Sequence, residues 1–320
     1  MAVNNLFKIE RKPLKGLLTV EWIAMGYLLM TVVMMVIQWD MLQNAEEMIK
    51  GRIQFTLVTL ALWAVYRLWP CRLTIFARIL AQMAFLGWWY PDTYEMNRVL
   101  PNLDHLFAGW EQSLFGCQPS LIFSQKVPYG WFSELMCLGY VSYFPLMLLT
   151  YLYYFFKRYK EFQMTAFVML TSFFAYYVVF VLLPVTGPQF YYLAVGTEKI
   201  AAGVFPNIGD WFLTHSERMA APGWTDGFFY HLLDITHDAG ERPTAAFPSS
   251  HVGITTVVML LALRTRSKGL ILTILPFYIL MCLSTVYIYA HYAIDAIAGL
   301  VTGCLLYFAL KTLWHRLPYT

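Results

Sequence analysis

Two histidines lie where polar loops meet long apolar runs. His251 follows Phe247-Pro248-Ser249-Ser250, and His291 precedes Asp295 by one helical turn. A carboxylate at the i+4 position shares a helical face with the histidine, where it can hold the imidazole in one tautomer and raise its basicity. This arrangement is typical of an activated nucleophile and its orienting group. If the two apolar runs are adjacent helices, we expect His251 and His291 to face each other, although each could instead be an isolated interfacial histidine.

The residues before His251 could bind an anion. Pro248 favours the first turn of a helix, so Ser249, Ser250 and the free first-turn amides would lie at a helix N-terminus, where anions bind. Arg242, further upstream, could add a guanidinium group suited to phosphate oxygens. The alternatives are that the two serines only cap the helix and that Arg242 is a solvated loop residue.

The composition is that of an integral membrane protein. The chain has 320 residues, of which 59% are hydrophobic and 13% charged, whereas about a quarter of a soluble domain is charged. Five scattered cysteines without a C-x-x-C pair indicate neither a disulfide framework nor a zinc site. His231, His237 and Asp238 match no standard metal-site spacing, so we interpret them as residues on a loop surface.

Hydropathy predicts an all-α protein with about eight transmembrane helices. The apolar runs cover about 17–38, 53–69, a third run ending near Tyr90, 131–156, 164–184, 248–264, 269–288 and 291–311. The two longest polar segments, 91–130 and 185–247, would lie outside the membrane.

The basic residues predict the orientation in the membrane. They cluster in the N-terminal segment 1–16, at 67–78, at 157–160, at 264–268 and near the C-terminus. Eight spans place all of these on one side, which the positive-inside rule makes cytoplasmic. Both termini would then be cytoplasmic, and both long loops and both histidines would face the extracytoplasmic side, periplasmic or lumenal.

Together these residues predict phosphoryl transfer. His291, oriented by Asp295, would attack phosphorus, while His251 would protonate the leaving oxygen. A second acceptor would then attack the phosphohistidine, with His251 acting as the base. Positioned donors would stabilise the charge on the phosphoryl oxygens.

The pattern R-P…P-S-x-H followed by S-x6-H-x3-D resembles the type 2 phosphatidic acid phosphatase superfamily. The resemblance implies that His251 is the acid/base and that His291 is the nucleophile paired with Asp295. It also implies a metal-independent enzyme with a six-helix catalytic core, which would occupy 71–320 after two N-terminal helices in 17–70.

Three residues depart from that family pattern. Thr285 stands where the phosphatases commonly have a phosphate-binding arginine, and Ile235 stands where their first motif has a lysine. Ser250 replaces the glycine of P-S-G-H.

The departures resemble one branch of the superfamily. The segment Ser284-Thr285-Val286-Tyr287, together with 184–192 and 100–104, is similar to the fungal inositol phosphorylceramide synthase branch. That likeness implies a phosphoinositol-like donor group and a ceramide-like acceptor. The alternative for 184–192 is an interfacial aromatic belt with a turn.

The sequence therefore predicts a membrane lipid phosphotransferase without a cofactor. Its partners would be a phospholipid donor, a lipid alcohol acceptor and the bilayer, and not nucleic acid. The first alternative is a lipid phosphate or polyprenyl diphosphate phosphatase with water as the acceptor. A non-catalytic transporter or scaffold is the second alternative.

Overall fold

The computed structural model describes residues 6–317, which form fourteen α-helices and three short 3-10 turns, without a β-strand. The helices are α1 (Thr19–Ile37), α2 (Ala45–Leu68), α3 (Arg72–Asn97), α4 (Asp104–Phe115), α5 (Pro119–Lys126), α6 (Gly130–Val141), α7 (Tyr143–Lys157), α8 (Phe162–Leu182), α9 (Pro188–Val195), α10 (Thr197–Ala201), α11 (Phe228–Gly240), α12 (Ser250–Thr265), α13 (Lys268–Tyr287) and α14 (Ala293–Trp314).

The structure confirms an all-α membrane protein. Among the described residues, five helices are long and apolar enough to cross a membrane: α1, α2, α8 with the turn before it, α13 and α14. The α6–α7 pair passes the same criterion as one span bent by 46°. The third and sixth predicted spans are also helical, as α3 and α12, but neither meets the criterion alone; α12 has only 16 residues.

Two buried ion pairs join the N-terminal helices to α3. Glu21 of α1 pairs with Arg78, and Arg52 of α2 binds both carboxylate oxygens of Asp92 at 2.9 and 2.8 Å. Charged groups at this depth are costly unless they are paired. The pairs therefore fix α1 and α2 against α3.

Small residues bring α14 against α12. A Cβ atom on Gly299 would lie 2.4 Å from the carbonyl oxygen of Ser249, and one on Gly303 would lie 2.4 Å from that of Gly253. Glycines four residues apart allow two helix backbones to approach closely. The start of α12 and the start of α14 consequently lie side by side.

The two long polar segments fold onto this end of the bundle. They contribute the short helices α4, α5, α9, α10 and α11. Phe107 of α4 and Tyr192 of α9 share a buried cluster with Tyr292, the residue before α14. These segments thus enclose the start of α12 and the turn before α14, where the two histidines lie.

Candidate active site

His251 is the second residue of α12, and the residues before it cap that helix. The Ser249 side chain accepts a hydrogen bond from the Val252 amide at 3.3 Å, and the Ser249 amide donates to the Asp295 carbonyl at 3.0 Å. Ser249 therefore performs the capping role that the sequence left as an alternative. The second bond also joins the start of α12 to α14.

His291 lies in the turn between α13 and α14, with a side chain that is almost fully buried. Its amide donates to the carbonyl of Thr285 at 2.9 Å. Its Nδ1 lies 2.8 Å from the carbonyl oxygen of Ala246, and its Nε2 lies 3.4 Å from Nδ1 of His251. Because a carbonyl only accepts, Nδ1 of His291 carries the proton and Nε2 presents a lone pair toward His251.

The surroundings keep His291 uncharged. Burial lowers the pKa of His291 to about 4, against the opposing effects of the Ala246 carbonyl and the Glu241 carboxylate. At neutral pH the imidazole is therefore unprotonated at Nε2. A free imidazole lone pair is the form that can act as a nucleophile.

Asp295 is not the direct hydrogen-bond partner that the i+4 spacing predicts. Its Oδ2 lies 3.7 Å from Nδ1 of His291 and accepts the Tyr292 amide at 2.9 Å. Its Oδ1 is buried and has no hydrogen-bond partner among the described residues. The carboxylate turns toward the start of its own helix, so the Ala246 carbonyl, rather than Asp295, sets the tautomer of His291.

Two tyrosines hold the ring of His251. The ring of Tyr140 from α6 stacks on it at 4.6 Å between centroids, and that of Tyr143 from α7 lies at 4.5 Å. Both tyrosines lie where the α6–α7 pair bends. The bend thus places two aromatic faces on one imidazole.

A model of the PAP2 superfamily matches residues 105–309, which include both histidines and Asp295. The chain belongs to the PAP2 superfamily. It is therefore a membrane enzyme of the lipid phosphatase and phosphotransferase kind. No curated protein and no solved structure matches the chain.

Ser250 and Arg242, which the sequence predicts to bind phosphate in this PAP2 protein, lie in different parts of the structure. Ser250 is buried at the start of α12, and its carbonyl accepts from the Tyr143 hydroxyl at 3.5 Å. Arg242 donates to the Glu241 carbonyl at 2.7 Å. Its side chain lines a cavity of about 380 Å³ with residues of α2 and α3, and neither histidine lines that cavity.

Asp104, the first residue of α4, connects the 184–192 segment of this PAP2 protein to Tyr292, the residue after His291. Asp104 accepts the amides of Thr186 and Gly187 at 2.7 and 2.8 Å and the hydroxyl of Tyr292 at 3.0 Å. The sequence placed Asp104 in a family-like segment without a role. The structure assigns it the role of joining the 184–192 segment to the residue after His291.

Glu111, two turns along α4, caps the helix that follows His291. Its carboxylate oxygens accept the amides of Ala293 and Ile294 at 3.2 and 3.1 Å. A negative charge at a helix N-terminus is favourable. Burial raises the pKa of Glu111 to about 7, although the two amides act in the opposite direction.

The prediction that His237 lies on a loop surface is wrong. His237 belongs to α11 and is 2% exposed. The first-turn amides of Phe229 and Tyr230 donate to Glu134 of α6 at 2.9 and 2.8 Å, which fixes α11 against α6. The polar composition of this segment concealed a helix with one buried face.

Proposed function

We propose that this PAP2 protein is a lipid phosphotransferase that moves a phosphoinositol-like headgroup from a phospholipid to a ceramide-like lipid alcohol. The observation that carries the proposal is the 3.4 Å approach of His291 Nε2 to His251 Nδ1, with Nδ1 of His291 held on the Ala246 carbonyl. This leaves a lone-pair nucleophile beside a second imidazole that can exchange a proton.

The first half-reaction forms a phosphohistidine. Nε2 of His291 attacks phosphorus, an N–P bond forms, and the bond between phosphorus and the glycerol oxygen breaks. Protonated His251 gives its proton to the departing alkoxide. The negative charge of the bound phosphate stabilises this imidazolium before the transfer.

The second half-reaction reverses these roles. His251 takes the proton of the acceptor hydroxyl, whose oxygen attacks phosphorus as the N–P bond breaks. His291 returns to its neutral form. Free amides in the first turn of α12, at Ser250 and His251, can stabilise the phosphoryl oxygens during both steps.

The charges near the histidines favour a phosphodiester substrate over a phosphomonoester. A monoester carries nearly two negative charges at neutral pH, and a diester carries one. Among the described residues, no lysine or arginine forms a hydrogen bond with the imidazole of His251 or His291. The buried Thr285 is neutral, and the carboxylate of Glu241 acts electrostatically on His291. This environment supports exchange between two phosphodiesters rather than hydrolysis of a lipid phosphate.

The proposed site faces the extracytoplasmic side. Arg158 donates to the carbonyl of Arg264 at 3.1 Å, so the 157–160 and 264–268 clusters meet. Arg264 is near the C-terminal end of α12, and His251 is at its N-terminal end, about 20 Å away along the helix axis. Because basic clusters favour the cytoplasmic side, this separation supports the opposite side for the histidines.

The proposal is tested with purified protein and headgroup-labelled phosphatidylinositol, with and without ceramide. We expect labelled ceramide product that depends on His291 and is unchanged by a chelator. Release of labelled inositol phosphate alone, without lipid product, would indicate water as the acceptor and contradict the transferase. Loss of activity on chelation would contradict the metal-independent steps.

A further inference from the structure

A third histidine lies in this region without a hydrogen bond. Both ring nitrogens of His237 are buried, and neither has a partner among the described residues. Buried polar groups are normally paired, so an unpaired imidazole requires an explanation such as a missing ligand or water. The proposed transfer steps make no use of this group.

His237 contacts an aromatic residue of the active site. Its ring meets the ring of Tyr140 edge to face, with centroids 5.4 Å apart. Tyr140 in turn stacks on His251, and His237 and His251 interact electrostatically. Tyr140 therefore contacts both His251 and the unpaired imidazole.

Glu241, four residues after His237, lies near His291. Its Oε1 accepts from Gln189 at 3.0 Å and from the Tyr90 hydroxyl at 3.3 Å. Its carboxylate interacts electrostatically with His291. Burial raises the pKa of Glu241, and the neighbouring His291 and Tyr90 oppose that effect. Groups that donate and accept hydrogen bonds thus lie within electrostatic range of both catalytic histidines.

We propose that His237, Glu241 and Gln189 form a subsite for an uncharged, hydroxyl-rich headgroup of the donor lipid. The inference rests on the proposed transfer of a phospho-headgroup, because only then does the headgroup remain on phosphorus beside these residues. The unpaired nitrogens of His237 would bind headgroup hydroxyls, and Glu241 with Gln189 would bind others nearer His291.

The protonation state of His237 selects hydroxyls over ammonium groups. Burial and the nearby Arg218 lower the pKa of His237 to about 3, so the ring is neutral. A neutral imidazole offers one donor and one acceptor. A hydroxyl can satisfy both, whereas a primary ammonium group only donates and a quaternary ammonium group does neither. A choline or ethanolamine headgroup would leave the N–H of His237 unpaired.

The test compares donor lipids at equal concentration in liposomes with a fluorescent ceramide acceptor. The donors are phosphatidylinositol, phosphatidylglycerol, phosphatidylethanolamine and phosphatidylcholine. We expect the two polyol donors to react faster. His237→Phe and Glu241→Gln should each lower the polyol rates by about 10–100-fold while changing the rates of the amine donors much less. His231→Asn is the matched control, because His231 is exposed on the same helix.

A second measurement separates this inference from the transferase proposal. Thermal unfolding of the detergent-solubilised protein is followed with inositol 1-phosphate or with phosphocholine. We expect stabilisation by inositol 1-phosphate that exceeds that by phosphocholine and disappears in both variants. If no donor is transferred, the transferase proposal fails, and this measurement alone decides the subsite. The subsite proposal would be overturned by equal stabilisation with both probes or by faster reaction of the amine donors. An equal loss of rate with all donors in the two variants would also overturn it.

Discussion

The imidazole of His291 donates its Nδ1 proton to the carbonyl of Ala246 at 2.8 Å, while the carboxylate of Asp295 lies 3.7 Å from the same nitrogen. Ala246 is held in turn by its own amide, which donates to the Val185 carbonyl at 3.0 Å. The orientation of the proposed nucleophile therefore depends on the backbone before α12. Asp295, the acid that the sequence singled out, accepts a hydrogen bond from the Tyr292 amide instead.

This geometry predicts unequal effects at His291 and Asp295. His291→Ala should abolish turnover, because the proposed N–P bond cannot form. Asp295→Asn should lower kcat by about 10–100-fold, as expected for a group that supports a reacting residue, because the Ala246 carbonyl still fixes the tautomer. Initial rates with saturating donor measure both. Loss in Asp295→Asn as complete as in His291→Ala would show that the carboxylate is indispensable.

The loss of rate on removing His251 should be larger for a substrate with a poorer leaving group. His251→Ala should slow phosphoenzyme formation from a phospholipid by about 100-fold to 10,000-fold, the usual contribution of a general acid. A nitrophenyl phosphodiester, whose leaving group needs no proton, should react with a much smaller defect. Rapid-quench measurement of labelled protein checks both substrates. The same defect with both substrates would argue against proton donation by His251.

Glu111 should make stability depend on pH. Its pKa is raised from the ordinary value of 4.5 to about 7 in the folded protein, chiefly by burial. A group with a raised pKa contributes stability below its unfolded pKa, and that contribution is lost as pH rises through the folded pKa. Between about pH 4.5 and pH 7 the wild type should therefore lose stability relative to Glu111→Gln, by at most about 3 kcal/mol. Thermal unfolding curves that shift in parallel across this range would contradict the prediction.

The close contact of α14 with α12 should not tolerate a side chain at Gly303. Gly303→Ala would place a Cβ atom 2.4 Å from a backbone oxygen of α12, which should cost about 1–3 kcal/mol and lower activity by separating the two helices. Gly26→Ala in α1 is the control, since its added Cβ would meet no packed neighbour within 4 Å beyond the backbone of its own helix. That change should be neutral or stabilise the helix by up to about 1 kcal/mol. Thermal unfolding and turnover measure both variants; an unaltered Gly303→Ala protein would contradict the packing argument.

Much of the fold follows from local sequence. Each predicted apolar run is helical, because a backbone in lipid must satisfy its hydrogen bonds within the segment. The pairing of His251 with His291 was likewise readable, since both lie at apolar helix ends in a recognisable pattern. Ser249 was readable as a cap from its place before the first turn.

Other features depend on contacts between distant parts of the chain. The Ala246 carbonyl orients His291, yet every residue has a backbone oxygen, so the sequence does not show which one will do so. Glu111 and His237 looked like ordinary residues of polar loops, because nothing local reveals that one caps α14 and the other is buried against Tyr140. Sequence thus determined which residues could react and which segments were helical. Tertiary packing decided which groups orient them, because those partners meet only when separate helices come together.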